Sequence, residues 1–489
     1  MALQFNEIPG NLRVPFLRFE VNSGASPYQS IQRLVLIGQK LSGGTALADT
    51  PVLVSDGEDG LFGAGSMLAA MYKIARQNAP FQEIWAVPLA DAVGSTKAAG
   101  TITVAGAPIT TAGSIILYVG GLRISVPVNT VMTNANIATA IAAAVNACPA
   151  IQVVATVASA VVTLTANNAG SLGNTIKVLS KYYADDGNLG NTLLTIVQPT
   201  GGAGDPSITT ALGNMGDGQW DWIVMPYCVS GLIGEIDSYL TSRWGPLSQT
   251  YGHCITAMNG SAGTVQALTS TLNSWHVSVM PTYNAPHPIY LWAAGFGSVA
   301  AEHLQDAPEL SRPLQSLVVK GLLAPVNVAD RWSVVQRQSF YYAGASGYTV
   351  QGSAVAIDRL TTTYQRNVWG SPDQSWLDVN TIAQLMYGLP YIAAYINETY
   401  PRSALVDSNP NNIQGFVTVE DMRNAFVHAY RALEAIGVFE NAPVFSQLLI
   451  VERNAQDPDR IDTYLPLDHV NALRVLAVNA TSYLQYPTA

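Results

Sequence analysis

Arg33-Leu34-Val35-Leu36-Ile37-Gly38 is an unbroken apolar run closed by glycine, as expected of a strand buried on both faces. Ser66 to Gln77 follows with Met67, Leu68, Met71 and Ile74 on one helical face, and Glu83-Ile84-Trp85-Ala86-Val87-Pro88 is a second apolar run. Strand, helix, strand at this spacing predicts a parallel α/β unit. The pattern resumes further on. Trp222–Pro226, Cys254–Ala257 and Val277–Val279 read as strands, and Gly234–Trp244, Thr264–Ser274 and Leu291–Leu304 as helices. Beyond Trp369-Gly370-Ser371-Pro372-Asp373 the chain turns helical, with Asn380–Thr399 and Val419–Ile436 the long segments and Leu448–Val451 a strand.

Between the two α/β stretches the composition changes. From Lys97 to Lys177 the only charged residue is Arg123. Ser114–Val119 and Leu122–Val128 flank Gly120-Gly121, a hairpin signal. Asn134–Ala147 reads as a helix, Val153–Thr156, Val161–Thr165 and Asn174–Leu179 as strands, and Thr200–Pro206 as a flexible return linker. The expected organisation is an α/β (mixed α+β) core at 26–95 and 206–370 with a β-rich domain, 96–205, inserted in one loop. A C-terminal α+β unit at 371–460 and extended terminal arms at 1–25 and 461–489 complete it.

Of the 489 residues, 48% are hydrophobic and only 11% charged, against about 25% charged in ordinary globular proteins. A surface so poor in charge suggests extensive cover by neighbours. The formal net charge of −10, without a lysine or arginine cluster, argues against direct nucleic-acid binding. No secretory leader can be drawn in residues 1–20, and Ile137–Val145 is too short to span a membrane. Cys148, Cys228 and Cys254 suit reduced thiols better than a disulfide framework.

No catalytic, cofactor or metal constellation stands out. Gly63-Ala64-Gly65-Ser66 lacks the third glycine of a dinucleotide loop and the lysine of a phosphate loop, so Ser66 reads as a helix cap. Thr418, Glu420 and Asp421 likewise read as capping chemistry. The six histidines have no metal-ligand spacing, and His287, between two prolines, reads as a turn residue.

The informative segments are terminal. Leu12, Val14 and Phe16, then Leu17 and Phe19, alternate with polar or proline positions. Near the other end Leu473, Val475 and Ala477 interleave with Arg474, Leu476 and Val478. Both runs read as strands on polar tethers, suited to pairing with copies of the same chain. Glu452, Arg453, Asp459 and Arg460 precede the second run and suit either a solvated hinge or ion pairs that fix its direction.

Several stretches resemble the Mu-like contractile-tail sheath family. They are Phe5–Phe16, Arg312-Pro313-Leu314-Gln315 with the Gly321–Pro325 turn, Asp358–Gln365, Trp376–Thr381, Tyr400-Pro401-Arg402 and Leu449–Ala455. After "Pro-Arg" the family's lysine-leucine-alanine is replaced by Ser403-Ala404-Leu405. The resemblance implies a subtilisin-like-topology core without a protease triad and an outward-facing inserted domain. It also implies stacked six-subunit rings around a tail tube, which contract to drive that tube through the host envelope for genome ejection. The implied partners are other copies, the tube protein, and baseplate and terminator proteins. The implied location is the virion tail, after assembly in the host cytoplasm. A phage-derived injection particle is the alternative setting, and a soluble α/β enzyme the competing class. The C-terminal unit is expected to face the tube through the helix bearing Glu420, Asp421, Arg423 and Arg431.

Overall fold

In a computed structural model, residues 32–186 and 189–484 are described. The expected N-terminal strand residues Leu12, Val14, Phe16, Leu17 and Phe19 lie outside them. Arg33–Gln39 sits within a six-stranded sheet whose order is Val277–Thr282, His253–Asn259, Trp222–Val224, Arg33–Gln39, Glu83–Leu89 and Val52–Leu53. Only the short outer strand Val52–Leu53 is antiparallel. Arg33–Gln39 pairs residue for residue with Glu83–Leu89, and Leu34, Val35, Leu36 and Ile37 are wholly buried, as a central parallel strand requires. The crossover helix Met67–Asn78 begins at Ser66, whose hydroxyl accepts from Ala69 N.

Ile289–His303 is apolar all round and buried from Ile289 through Ala301. Such a helix needs cover on every side. The sheet provides one side, and the other packs against the strand Val318–Leu323 and the helix Met67–Asn78. Gly297 permits the close approach, because a Cβ there would lie 2.3 Å from Val224 Cγ2. Val318–Leu323 belongs to a three-stranded antiparallel sheet with Ala354–Arg359 and Gly347–Gln351.

Residues 98–196 gather a core of their own, including Ile102, Leu117, Ile137, Ile141 and Leu164. Around it lie a four-stranded sheet (Leu194–Thr200, Ala99–Val104, Val161–Ala166, Val153–Ala158), a three-stranded sheet and the helix Asn134–Asn146. The hairpin Gly113–Val119/Leu122–Val128 turns at Gly120 and Gly121, both with positive φ, the geometry of a tight two-residue hairpin turn. Thr200–Pro206 is not the flexible linker that its glycines suggest. Thr200 ends an edge strand, Ala203 bridges Thr96, and the Asp205 carboxylate holds Ser171 through its N–H and hydroxyl.

Beyond residue 370 the chain forms the helices Val379–Thr399, Val419–Ala435 and Ala442–Leu448 and two small two-stranded sheets. Tyr430 stacks on Phe445 with centroids 3.8 Å apart. The expected strand Leu448–Val451 is shifted. The helix runs through Leu448, and the strand is Ile450–Arg453, paired antiparallel with Ile461–Tyr464. The apolar run continues through the helix end, so periodicity does not mark the boundary.

Candidate assembly interface

The C-terminal segment comes off the body late. Ile461–Tyr464 is held in the hairpin, Glu440 N donates to Asp468 O, and Val470 N donates to Val438 O. From Asn471 the chain is extended and unpaired by any ladder among the described residues. Leu473, Val475, Leu476 and Val478 are 74–80% exposed, and Ala477 is exposed too. From Val475 to Leu484 every side chain of the single chain is exposed, with no paired strand among the described residues to define inner and outer faces. Arg474 alone turns inward, its side chain only 13% exposed. A contiguous uncovered run of aliphatic side chains on extended backbone is the signature of a segment whose partner lies elsewhere.

The hairpin Ile450–Arg453/Ile461–Tyr464 is a two-stranded sheet with an open edge on each side among the described residues. Ile450 and Tyr464, paired across it, are 55% and 61% exposed. Two strands alone are marginal in water, and open edges accept further strands. The charged stretch before the terminal run builds this hairpin's turn. Arg453 Nη1 lies 2.6 Å from Asp407 Oδ1, and its Nε donates to Pro458 O. Arg460 Nε lies 2.6 Å from Asp462 Oδ1, while Asn454 donates to the other oxygen of that carboxylate. The Asn454 and Arg460 hydrogen bonds hold the Asp462 carboxyl below its ordinary range. Glu452 stands opposite Asp462 in the ladder, and Asp459 N donates to Asp457 Oδ1. These four residues shape a turn rather than a tether.

The helix Val419–Ala435 divides the four residues expected to face a partner. Thr418 and Asp421 form a capping box, and Arg423 donates to Leu449 O at 2.8 Å and to Ser446 O. Asp421 and Arg423 are therefore committed to the chain's own body. Glu420 and Arg431 lie on the exposed face, with Asn424 and His428 between them.

Buried polar groups elsewhere are structural in their geometry. His253 Nε2 lies 2.8 Å from Ser278 Oγ, but both residues are wholly buried and no hydrogen-bond partner meets His253 Nδ1. A nucleophilic triad needs a carboxylate there and access for substrate. His287 lies in a bend, as expected, but is buried there, and its Nδ1 accepts from Leu323 N at 3.0 Å. Asn168 Oδ1 accepts from Met67 N, occupying the helix start where a phosphate loop would hold its ligand. Among the described residues no group of three or more His, Cys, Asp or Glu is placed to hold a metal ion, and no helix is long and apolar enough to cross a membrane.

Residues 201–363 match the family model of the phage tail sheath protein central domain, and residues 371–481 match that of the phage tail sheath C-terminal domain. Over 485 residues the chain is 32% identical to the Mu-like prophage FluMu tail sheath protein of Haemophilus influenzae, covering 98% of this chain and 99% of that one. The chain belongs to the Mu-like phage tail sheath family. It is a structural tail sheath protein of a phage or a contractile injection system. Its fold is shared with the crystal structure of a sheath tail protein from Desulfitobacterium hafniense, at a TM-score of 0.50 and 12% identity, covering 94% of this chain and 97% of that one. The anti-feeding prophage helical sheath, seen by cryo-EM in its contracted state, aligns over 97% of this chain and 100% of that one. That alignment has a TM-score of 0.42 and 10% identity.

Nothing in the periodicity of Leu473–Val478 marks Arg474 as different from its neighbours. The available signal was a lone arginine in an aliphatic run, and its partners are remote in sequence.

Proposed function

We propose that this sheath subunit polymerises with copies of itself as stacked six-subunit rings around a tail tube, and that the sheath shortens to drive the tube through the host envelope. The supporting observation is the pairing of an uncovered aliphatic segment, Leu473–Val478, with a two-stranded hairpin whose edges are open. In this reading residues 471–489 add a strand to the hairpin Ile450–Arg453/Ile461–Tyr464 of a neighbour, and the N-terminal run containing Leu12, Val14 and Phe16 links copies in the same manner. The inserted residues 96–205 face outward.

Energetics favour such strand exchange only because the strands are apolar. Ordering backbone costs about 1–2 kcal/mol per residue, and each net hydrogen bond returns about 0.5–1.5 kcal/mol. These terms roughly cancel. Burial of Leu473, Val475, Leu476 and Val478 adds about 1.5–3 kcal/mol per large side chain and decides the sign. Contraction is then a change between two packings of one subunit, which needs no nucleotide and no catalytic residue. The exposed face bearing Glu420 and Arg431 is assigned to the tail tube, and baseplate and terminator proteins cap the cylinder. Assembly in the host cytoplasm accords with three free cysteines.

Negative-stain microscopy of the purified full-length chain is expected to show long tubes. Deleting residues 1–22 or residues 471–489 is expected to leave a folded, soluble subunit that forms none. Tubes from a chain lacking both segments would overturn the linking mechanism.

A further inference from the structure

Arg474 reverses the usual arrangement of a chain terminus. Its aliphatic neighbours Leu473 and Val475 are 74% and 80% exposed, whereas its guanidinium is drawn into the body. Burying a cation is unfavourable unless it is paired and hydrogen-bonded. Here Nη2 donates to Asn380 Oδ1 at 2.8 Å and lies 3.2 Å from Asp378 Oδ1. We propose that Arg474 is the positioning residue of the C-terminal arm: seated on Asp378 and Asn380, it fixes the point from which the linking segment departs and ties that point to the three-stranded sheet through Arg359.

The partners are themselves held. Arg359, at the end of the strand Ala354–Arg359, grips Asp378 as a fork, with Nε to Oδ1 and Nη2 to Oδ2 both at 2.9 Å. One carboxylate therefore joins two guanidinium groups, one from the three-stranded sheet and one from the terminal segment. Asp378 is also the N-cap residue of the helix Val379–Thr399, where the helix dipole favours negative charge. Asn380 has no choice of orientation. Its Nδ2 donates to Leu310 O and Arg312 O, both at 2.8 Å, and carbonyls only accept, so Oδ1 must face Arg474.

A second point of attachment lies one helical turn away. Gln384, 1% exposed, donates through Nε2 to Val470 O at 2.8 Å and to Ser311 Oγ at 2.7 Å, and its Oε1 lies 2.8 Å from His469 Nδ1. The root of the arm is thus fastened over residues 469–474 by one face of one helix. Beyond Arg474 the side chains are exposed. A pull on the arm is delivered through Asp378 to Arg359 and the three-stranded sheet, and the hinge falls at Val475 instead of at Glu452–Arg460. Both contacts are made by the one Nη2 atom, and a lysine keeps the charge on a side chain one atom shorter, so it reaches them less well.

This inference rests on the reading that residues 471–489 link copies, and the test separates the two. Full-length R474A, R474K and V475D/V478D are compared with the parent by tube formation, thermal unfolding and hydrogen exchange. R474A is expected to raise the subunit concentration needed for tubes by about tenfold. It should increase exchange at residues 470–474 while leaving the unfolding midpoint and the protection of Val379–Thr399 unchanged. R474K should recover part of the assembly. V475D/V478D should abolish tubes while residues 470–474 stay protected. Parent-like assembly of R474A beside a tube-less V475D/V478D overturns the positioning role and leaves the linking arm standing. Parent-like tubes from V475D/V478D overturn the linking arm itself. If R474A is insoluble, R474K decides: intermediate assembly supports the role, and parent-like assembly with parent-like exchange removes it.

Discussion

Four imidazoles in this subunit are held neutral by burial. His253 is pushed down to about 3, and His276, His287 and His469 to about 4. The unfolded chain takes up these protons near pH 6.5. Because the folded values lie lower, the stability is fully present above about pH 6.5 and is lost progressively as pH falls through the window to about 4. Each group removes about 1–2 kcal/mol at pH 5. Asp221 works in the opposite direction. Burial raises it to about 6, against hydrogen bonds from Arg33 N and Gln219, so folding gains from its protonation as pH falls below that value. Burial also raises Asp49, Asp237 and Glu302, but the four imidazoles are moved further and outweigh these carboxyls. The thermal midpoint at pH 5 is expected several degrees below that at pH 7.5, read by circular dichroism. Equal midpoints would mean that the imidazoles protonate inside the fold and that their burial is not rigid.

Legibility from sequence differs from element to element, and the reason is where each element finds its partners. Arg33–Gln39 and Glu83–Leu89 are readable because central parallel strands are apolar along their whole length. Gly120-Gly121 is readable because a tight hairpin turn needs positive φ at both positions. Ala99–Val104, which carries alanine, glycine and threonine, and Leu194–Thr200, which ends in glutamine, proline and threonine, are not, since they owe their strand state to backbone pairing with each other and, for Ala99–Val104, with Val161–Ala166. The hairpin Ile450–Arg453/Ile461–Tyr464 is hidden by the apolar run that crosses the preceding helix end. Arg474 is hidden because Asp378, Asn380 and Arg359 reach it only through tertiary folding.

The insertion also gives a test at this scale. Thr96 N donates to Ala203 O at 2.9 Å, so its two ends already meet, and its core is separate from that of the sheet. Replacing residues 97–202 by two glycines is expected to leave a soluble chain with cooperative unfolding. Its midpoint should fall, because Met67 N and Gly65 O lose Asn168 and Asn167. A chain without a cooperative transition would show that the insertion is part of the core's folding unit.

On the scale of the whole molecule, the joints between units are dense and the outgoing segment is bare. Gln39 donates to Ala169 O and Asp91, and Ala169 N donates to Asp91, pinning the insertion to the central sheet. Tyr182 adds a bond to Ala324 O. At the other joint the Arg359–Asp378–Arg474 cluster, together with Ser311 bonded to Gly437 O, fastens the three-stranded sheet and the segment before it to the C-terminal helices. These joints combine charged pairs, fixed carbonyls and packed helices, which deform less readily than an extended segment with no internal ladder. If the sheath shortens as proposed, such subunits would move as whole bodies while the segments between them bend. Cryo-EM structures of the extended and contracted sheath are therefore expected to superpose over residues 32–470 of one subunit to within about 1–2 Å, the scale of change seen in preorganised partners. The change in backbone direction should begin at Val475. A rotation of residues 96–205 against the sheet, or separation of Arg359 from Asp378 between the two states, would place the motion inside the subunit and refute rigid-body contraction for this chain.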